Sequence, residues 1–270
     1  MKARIKFQKY GSMKFIGHLD VMRYFQKAFR RAGFDNEYSK GFSPHQIMSF
    51  AAPLGVGLTS DAEYLDVSLL SSDEPGLMKE RLNAVLTEGF RVIDFHPLLD
   101  AEFNTKTVTA MAQVASADYL VSLKDGYSVN ENISSMQEFE AAFRAFLDRE
   151  EIIINKKTKK SEKEENIKPM ISLIAFSEDD YRNKLNCLTD TDIPVIKTDS
   201  CADIYQNGIK LYMQLDTGSH ANLKPELVME AFYESLGHAF NKFAWQVHRL
   251  ELYARDDGNR RLTPLHALPR

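Results

Sequence analysis

Two histidines come nearest to an acid–base pair in this sequence. His18 lies in Ile16-Gly17-His18-Leu19-Asp20 and His45 in Gly41-Phe42-Ser43-Pro44-His45. Imidazole titrates near neutrality, so two such groups facing one cleft could take and return a proton. No nucleophile or carboxylate accompanies them at a spacing that suggests a hydrolase. The structural alternative is that His18 caps its helix and His45 bonds the Gly41 to Pro44 turn, and no catalytic set is assigned.

Metal and cluster chemistry has less to work with. The only cysteines, Cys187 and Cys201, have thirteen residues between them and no Cys-x-x-Cys arrangement. They cannot supply the three thiolates of a radical enzyme's iron–sulfur cluster, and they form no zinc spacing. The expectation is a chain with no metal and no cofactor of its own. So low a cysteine content also suits the reducing cytoplasm.

Anion binding is the chemistry the residues favour most. Residues 1–50 hold ten Lys and Arg against three acids, leaving a charge of −11 on the rest of a chain whose formal net charge is −4. On a helical wheel Arg23, Lys27, Arg30 and Arg31 fall within about 100° of one another. They form a basic flank beside the apolar stripe Met22, Phe25, Phe29, Ala32. Such a flank can neutralise successive phosphates; a solvated face with Asp20 pairing to Arg23 is the plainer alternative. Lys14, Lys40 and His45 extend the candidate surface, as do Arg4 and Lys6, expected on an open sheet face. Lys159 and Lys160, at the tip of a charged hairpin (156–166), could form a basic finger. An ordinary RNA-recognition sheet is disfavoured, because Tyr64 is the only aromatic expected on that face.

The elements that must position these groups follow from periodicity. Ala3 to Lys9 alternates as a strand, and a helix from His18 to Ala32 ends at Gly33. Strands follow near 47–51 and 63–70, then a helix capped by Asp73 and running toward Gly89, then a strand from 90 to 96. Downstream come a strand at 119–123, a helix over 135–149 opened by the capping box Ser135-x-x-Glu138, and strands near 152–155 and 170–174. A strand at 209–215, a helix at 225–236 and a strand at 243–253 complete the pattern. Residues 176–208, with seven acids and three bases, read as an acidic insertion, and the tail beyond Asp256 as frayed. The fold class is α+β: two tandem ferredoxin-like (βαββαβ) domains with antiparallel sheets, over 1–100 and 115–255. No long apolar run or leader pattern appears, so neither export nor membrane insertion is expected.

The first half also resembles a known family. Lys14-Phe15-Ile16-Gly17-His18-Leu19-Asp20, Arg23, Arg30-Arg31-Ala32-Gly33, Tyr38 through His45, Ser49-Phe50-Ala51, Pro53-Leu54 and Glu63-Tyr64-x-Asp66 carry the likeness. Farther on, Lys159-Lys160, Ile167 through Ile171, Gly218-Ser219 and Asn222 through Glu226 extend it. These residues resemble the radical-SAM-linked family, a bacterial domain of unknown function encoded beside, or fused to, radical SAM proteins. The resemblance implies a radical SAM protein as partner and carries over no catalytic residue. Joined to the charge pattern, it leads to the expectation of a non-catalytic accessory module that binds RNA. A metal-independent RNA-processing enzyme and a protein-interaction adaptor are the alternatives.

Overall fold

The computed structural model describes residues 1–98, 109–157, 162–189, 199–218, 221–255 and 261–268. The first half runs β1 (Lys2–Lys9), α1 (His18–Arg31), β2 (Met48–Phe50), β3 (Thr59–Ser68), α2 (Pro75–Asn83) and β4 (Phe90–Leu98). Strand β1 pairs antiparallel with both β3 and β4, and β2 pairs antiparallel with β3. The period-2 alternation sends Ile5 and Phe7 toward the helices, where they pack with Phe25, Phe29, Leu65 and Val67. Helix α1 stops where Gly33 takes a φ of +68°, and the Arg81 guanidinium donates to the carbonyls of Ala32 and Gly33. The cap of α2 differs from expectation. Glu74 accepts from the N–H groups of Gly76 and Leu77, while Asp73 instead pairs with Arg81 at 2.6 Å.

The second half runs α3 (Ala110–Gln113), β5 (Val114–Leu123), α4 (Met136–Leu147), β6 (Ile153–Lys157), β7 (Glu162–Asn166) and β8 (Ile171–Ala175). It continues through α5 (Glu178–Leu188), β9 (Lys210–Asp216), α6 (Pro225–Ser235), β10 (Trp245–Arg255) and β11 (Leu262–Pro264). Ser135 and Glu138 form the expected capping box. Phe139 and Phe143 then pack against Phe232 and Trp245 in a second core. Among the described residues, strands β6 and β7 pair only with each other.

The result is a mixed α+β fold with a mostly antiparallel sheet. The two halves share that sheet, in the order β4-β1-β3-β10-β5-β9-β8, because β10 adds parallel to β3 at Thr59 and Ser60. Strand β2 covers the same edge of β3 farther along, at Leu65 to Val67, so β10 takes the stretch that β2 leaves.

Two expectations about irregular segments are corrected. Residues 176–208 contain a regular helix, α5, opened by Ser177 accepting from the Asp180 N–H and placing Tyr181 in a buried cluster with Leu173 and Tyr212. The described part of the tail, 261–268, is also regular: β11 pairs with β10, and Leu262, Leu265 and His266 are buried.

Candidate binding surface

The exposed side of α1 carries a row of groups open to a ligand. Leu19, Arg23, Lys27 and Arg30 succeed one another along this face, each three or four residues after the last, and all are exposed. Arg23 makes a loose pair with Asp20 at 3.5 Å, whereas Lys27 and Arg30 have no ion pair or hydrogen bond among the described residues. Arg31 turns the other way, stacking on the Tyr24 ring and donating to the Val85 carbonyl at 3.2 Å. The flank read from the wheel is thus three cations wide, with Arg31 spent on joining α1 to the end of α2.

The loop after α1 stands beside this face. Gln46 donates to the Gln26 carbonyl at 3.2 Å, fixing the base of the loop to the middle of the helix. Ser39 closes the loop by bonding His45 Nδ1 at 2.8 Å and by donating its N–H to the His45 carbonyl. Lys40 and Phe42 are held out in between, and the Phe42 side chain is fully exposed. At the N-terminal end of the helix, Phe15 is 67% and Leu19 60% exposed. The Gly57 N–H donates to the Lys14 carbonyl, setting exposed Val56 next to this turn. Apolar rings left in water beside unpaired cations are a feature of binding surfaces.

Other expected members lie elsewhere. Arg4 and Lys6 face away from the helices as the alternation requires, but that sheet face is covered. Arg4 clamps Asp66 through Nε at 2.8 Å and an Nη at 3.2 Å, and also donates to Leu265 O and Gln113 Oε1. Lys6 pairs with Glu251 at 2.6 Å, and Glu251 accepts from Tyr64, which also meets His266. Gln113, Asp199, Ser200, Leu265 and His266 bond the polar side chains of this face, which are buried. Arg4 and Lys6 are therefore internal ion pairs and not part of an exposed surface. Lys14 is also engaged, with Asp203 at 3.0 Å. Lys159 and Lys160 fall outside the described residues.

The histidines do not form a pair. His18 leaves the helix cap to Gly17 and meets the Phe50 ring edge-on at 5.1 Å. It borders a narrow pocket with Lys9 and Glu63, walled by Phe7, Val21, Phe50, Pro53 and Leu54. Burial, and then the nearby Lys9 charge, lower the His18 pKa and so favour the neutral ring. Burial likewise lowers Lys9 and raises Glu63, whose carboxylate meets Arg249 at 2.9 Å. His45 is exposed and tied to Ser39, so no hydrogen bond or ring contact joins the imidazoles.

A third cluster carries no sequence signal at all. Asp61 on β3, His248 on β10 and Cys201 converge where the two halves of the sheet meet, with His248 Nε2 at 3.0 Å from Asp61 Oδ2. Asp61 also accepts from Gln8, Ser200 and the Cys201 N–H. Burial alone would raise its pKa, but His248, the Cys201 N–H and Ser200 hold it below the usual carboxylate range. The three residues are separated by 140 and 47 positions, so no local spacing could reveal them.

The sequence pattern of a bacterial family described as "Uncharacterized protein conserved in bacteria (DUF2344)" matches residues 2–225. The chain belongs to this family. A search of curated proteins found no match. The DUF2344 match spans the exposed face of α1, the 39–45 loop and the pocket, and ends before β10. Among the described residues, no helix of this DUF2344 protein is long and apolar enough to cross a membrane.

Proposed function

We propose that this protein is a non-catalytic accessory module that binds RNA, or a substrate containing RNA, and works with a radical SAM protein in the cytoplasm. The observation that carries the RNA reading is the exposed strip of Arg23, Lys27 and Arg30 flanked by the open rings of Phe15 and Phe42. Single strands are held by this combination: cations along the phosphates, and aromatic faces for the bases at about 1–3 kcal/mol per stacked base. The radical SAM partner rests on the sequence resemblance, and the cytoplasmic placement on two cysteines that are both free.

Each half is further read as a ferredoxin-like unit. The strand orders β4-β1-β3-β2 and β10-β5-β9-β8 support this, with β6, β7 and α5 as additions to the second unit. In this reading the faces that would lie open in isolated units are closed by ion pairs and connecting segments. Ligand binding then falls to α1 and the loop beside it.

The test is binding of labelled single-stranded RNA by the full chain at several salt concentrations. Affinity that falls steeply with salt, and falls again in Arg30→Glu and Phe42→Ala, supports the proposal. No measurable affinity at low salt would refute it and favour the protein-interaction adaptor.

A further inference from the structure

We propose that Asp61, Cys201 and His248 form a zinc site that clasps the segment carrying Cys201 onto the seam between β3 and β10. A carboxylate oxygen, Cys201 Sγ and an imidazole nitrogen all lie within 4.8 Å of one another. Tetrahedral zinc, with bonds of about 2.0–2.3 Å, spaces its ligand atoms roughly 3.3–3.8 Å apart. The 3.0 Å His248–Asp61 pair needs to open slightly, and Cys201 Sγ to approach by no more than about 1.5 Å, to take the ion.

The surroundings hold the ligands ready. Thr59 Oγ1 meets His248 Nδ1 at 2.7 Å, which fixes the ring and directs Nε2 at the carboxylate. That Nε2 is buried and has no partner at hydrogen-bonding geometry, although the carboxylate oxygen stands 3.0 Å away. Gln8 and the Cys201 N–H, both donating to Asp61 Oδ1, would orient the carboxylate as an outer shell does. The donor set selects the metal. A thiolate with an imidazole suits zinc, whereas calcium and magnesium take oxygen ligands.

Charge also balances. The Cys201 thiol now donates to the Ser60 carbonyl at 3.3 Å; on zinc binding it releases that proton to solvent and bonds the metal as thiolate. One thiolate and one carboxylate then neutralise the divalent ion, so the occupied site carries no net charge. Three protein ligands leave a fourth position for water.

The experiment uses the full chain, stripped by chelator under reducing conditions and titrated with cobalt(II). One equivalent should produce a thiolate-to-cobalt charge-transfer band that zinc extinguishes, and zinc should raise the thermal midpoint. Cys201→Ser should abolish the band, Cys187→Ser should leave it, and Thr59→Val should weaken metal affinity by about 10–100-fold. Absence of the band in the unsubstituted protein overturns the proposal. So does a band that survives Cys201→Ser or disappears in Cys187→Ser. The unsubstituted protein decides the matter even if a variant fails to fold.

Discussion

Arg4→Ala should damage folding and spare RNA binding, the reverse of what a basic residue near the N-terminus would suggest. The side chains of Arg4 and Asp66 are 2% and 1% exposed, and the guanidinium makes two contacts with the carboxylate. Truncation leaves the Asp66 charge buried with only the Ala110 N–H as a donor among the described contacts. It also strips partners from Leu265 O and Gln113. Breaking a buried pair from one side costs about 3–5 kcal/mol. For a chain of this size that is a fall in Tm of roughly 6–20 °C. The double variant Arg4→Met/Asp66→Leu should recover roughly half of the loss or more, because it removes both charges. Urea unfolding followed by circular dichroism reads the stability, and RNA affinity is measured below the transition. A loss under about 1 kcal/mol, the size of an exposed pair, would mean that the sheet face is open and the reasoning wrong.

Other predictions concern the second half. Asp118 is fully buried; burial pushes its pKa up to about 6 despite hydrogen bonds from Tyr181 at 2.5 Å, Tyr253 at 2.8 Å and Gln214 at 2.8 Å. The folded state therefore holds a proton that the unfolded chain releases near pH 4, so stability falls as pH rises from about 4 to 6. The contribution is on the order of 3 kcal/mol, and subtracting the unfolding profile of Asp118→Asn from that of the unsubstituted protein should isolate it. Ser135→Ala removes the acceptor for the Glu138 N–H and should cost about 1 kcal/mol in urea unfolding without altering RNA affinity.

Local pattern revealed much of the framework. The stripe through Phe25 and Phe29 is the buried side of α1, and alternation in β1 correctly divided Ile5 and Phe7 from Arg4, Lys6 and Gln8. Alternation cannot say whether the polar side meets water. Here it meets residues up to 261 positions away, as in the bond from Arg4 to Leu265, and such contacts leave no trace in a local window. Helix α5 was legible in retrospect: Ser177 precedes three acids, and Tyr181, Leu185 and Leu188 recur at helical spacing. Its acidic composition hid that periodicity. Arg23, Lys27 and Arg30 were legible because a basic flank is a property of one helix, whereas the exposure of Phe15 and Phe42 required the packed structure.

The central claim concerns the exposed face of α1, and the salt dependence of RNA binding tests it most directly. Each phosphate neutralised on a single strand contributes about −0.7 to the slope of log affinity against log salt. Arg23, Lys27, Arg30 and Lys40, all exposed, thus predict a slope of roughly −3. Fluorescence anisotropy of a labelled single-stranded RNA should give that slope, with a loss of about 0.7 for each cation converted to Ala. Binding that ignores salt, or a slope unchanged when all four are replaced in a folded protein, would contradict the account.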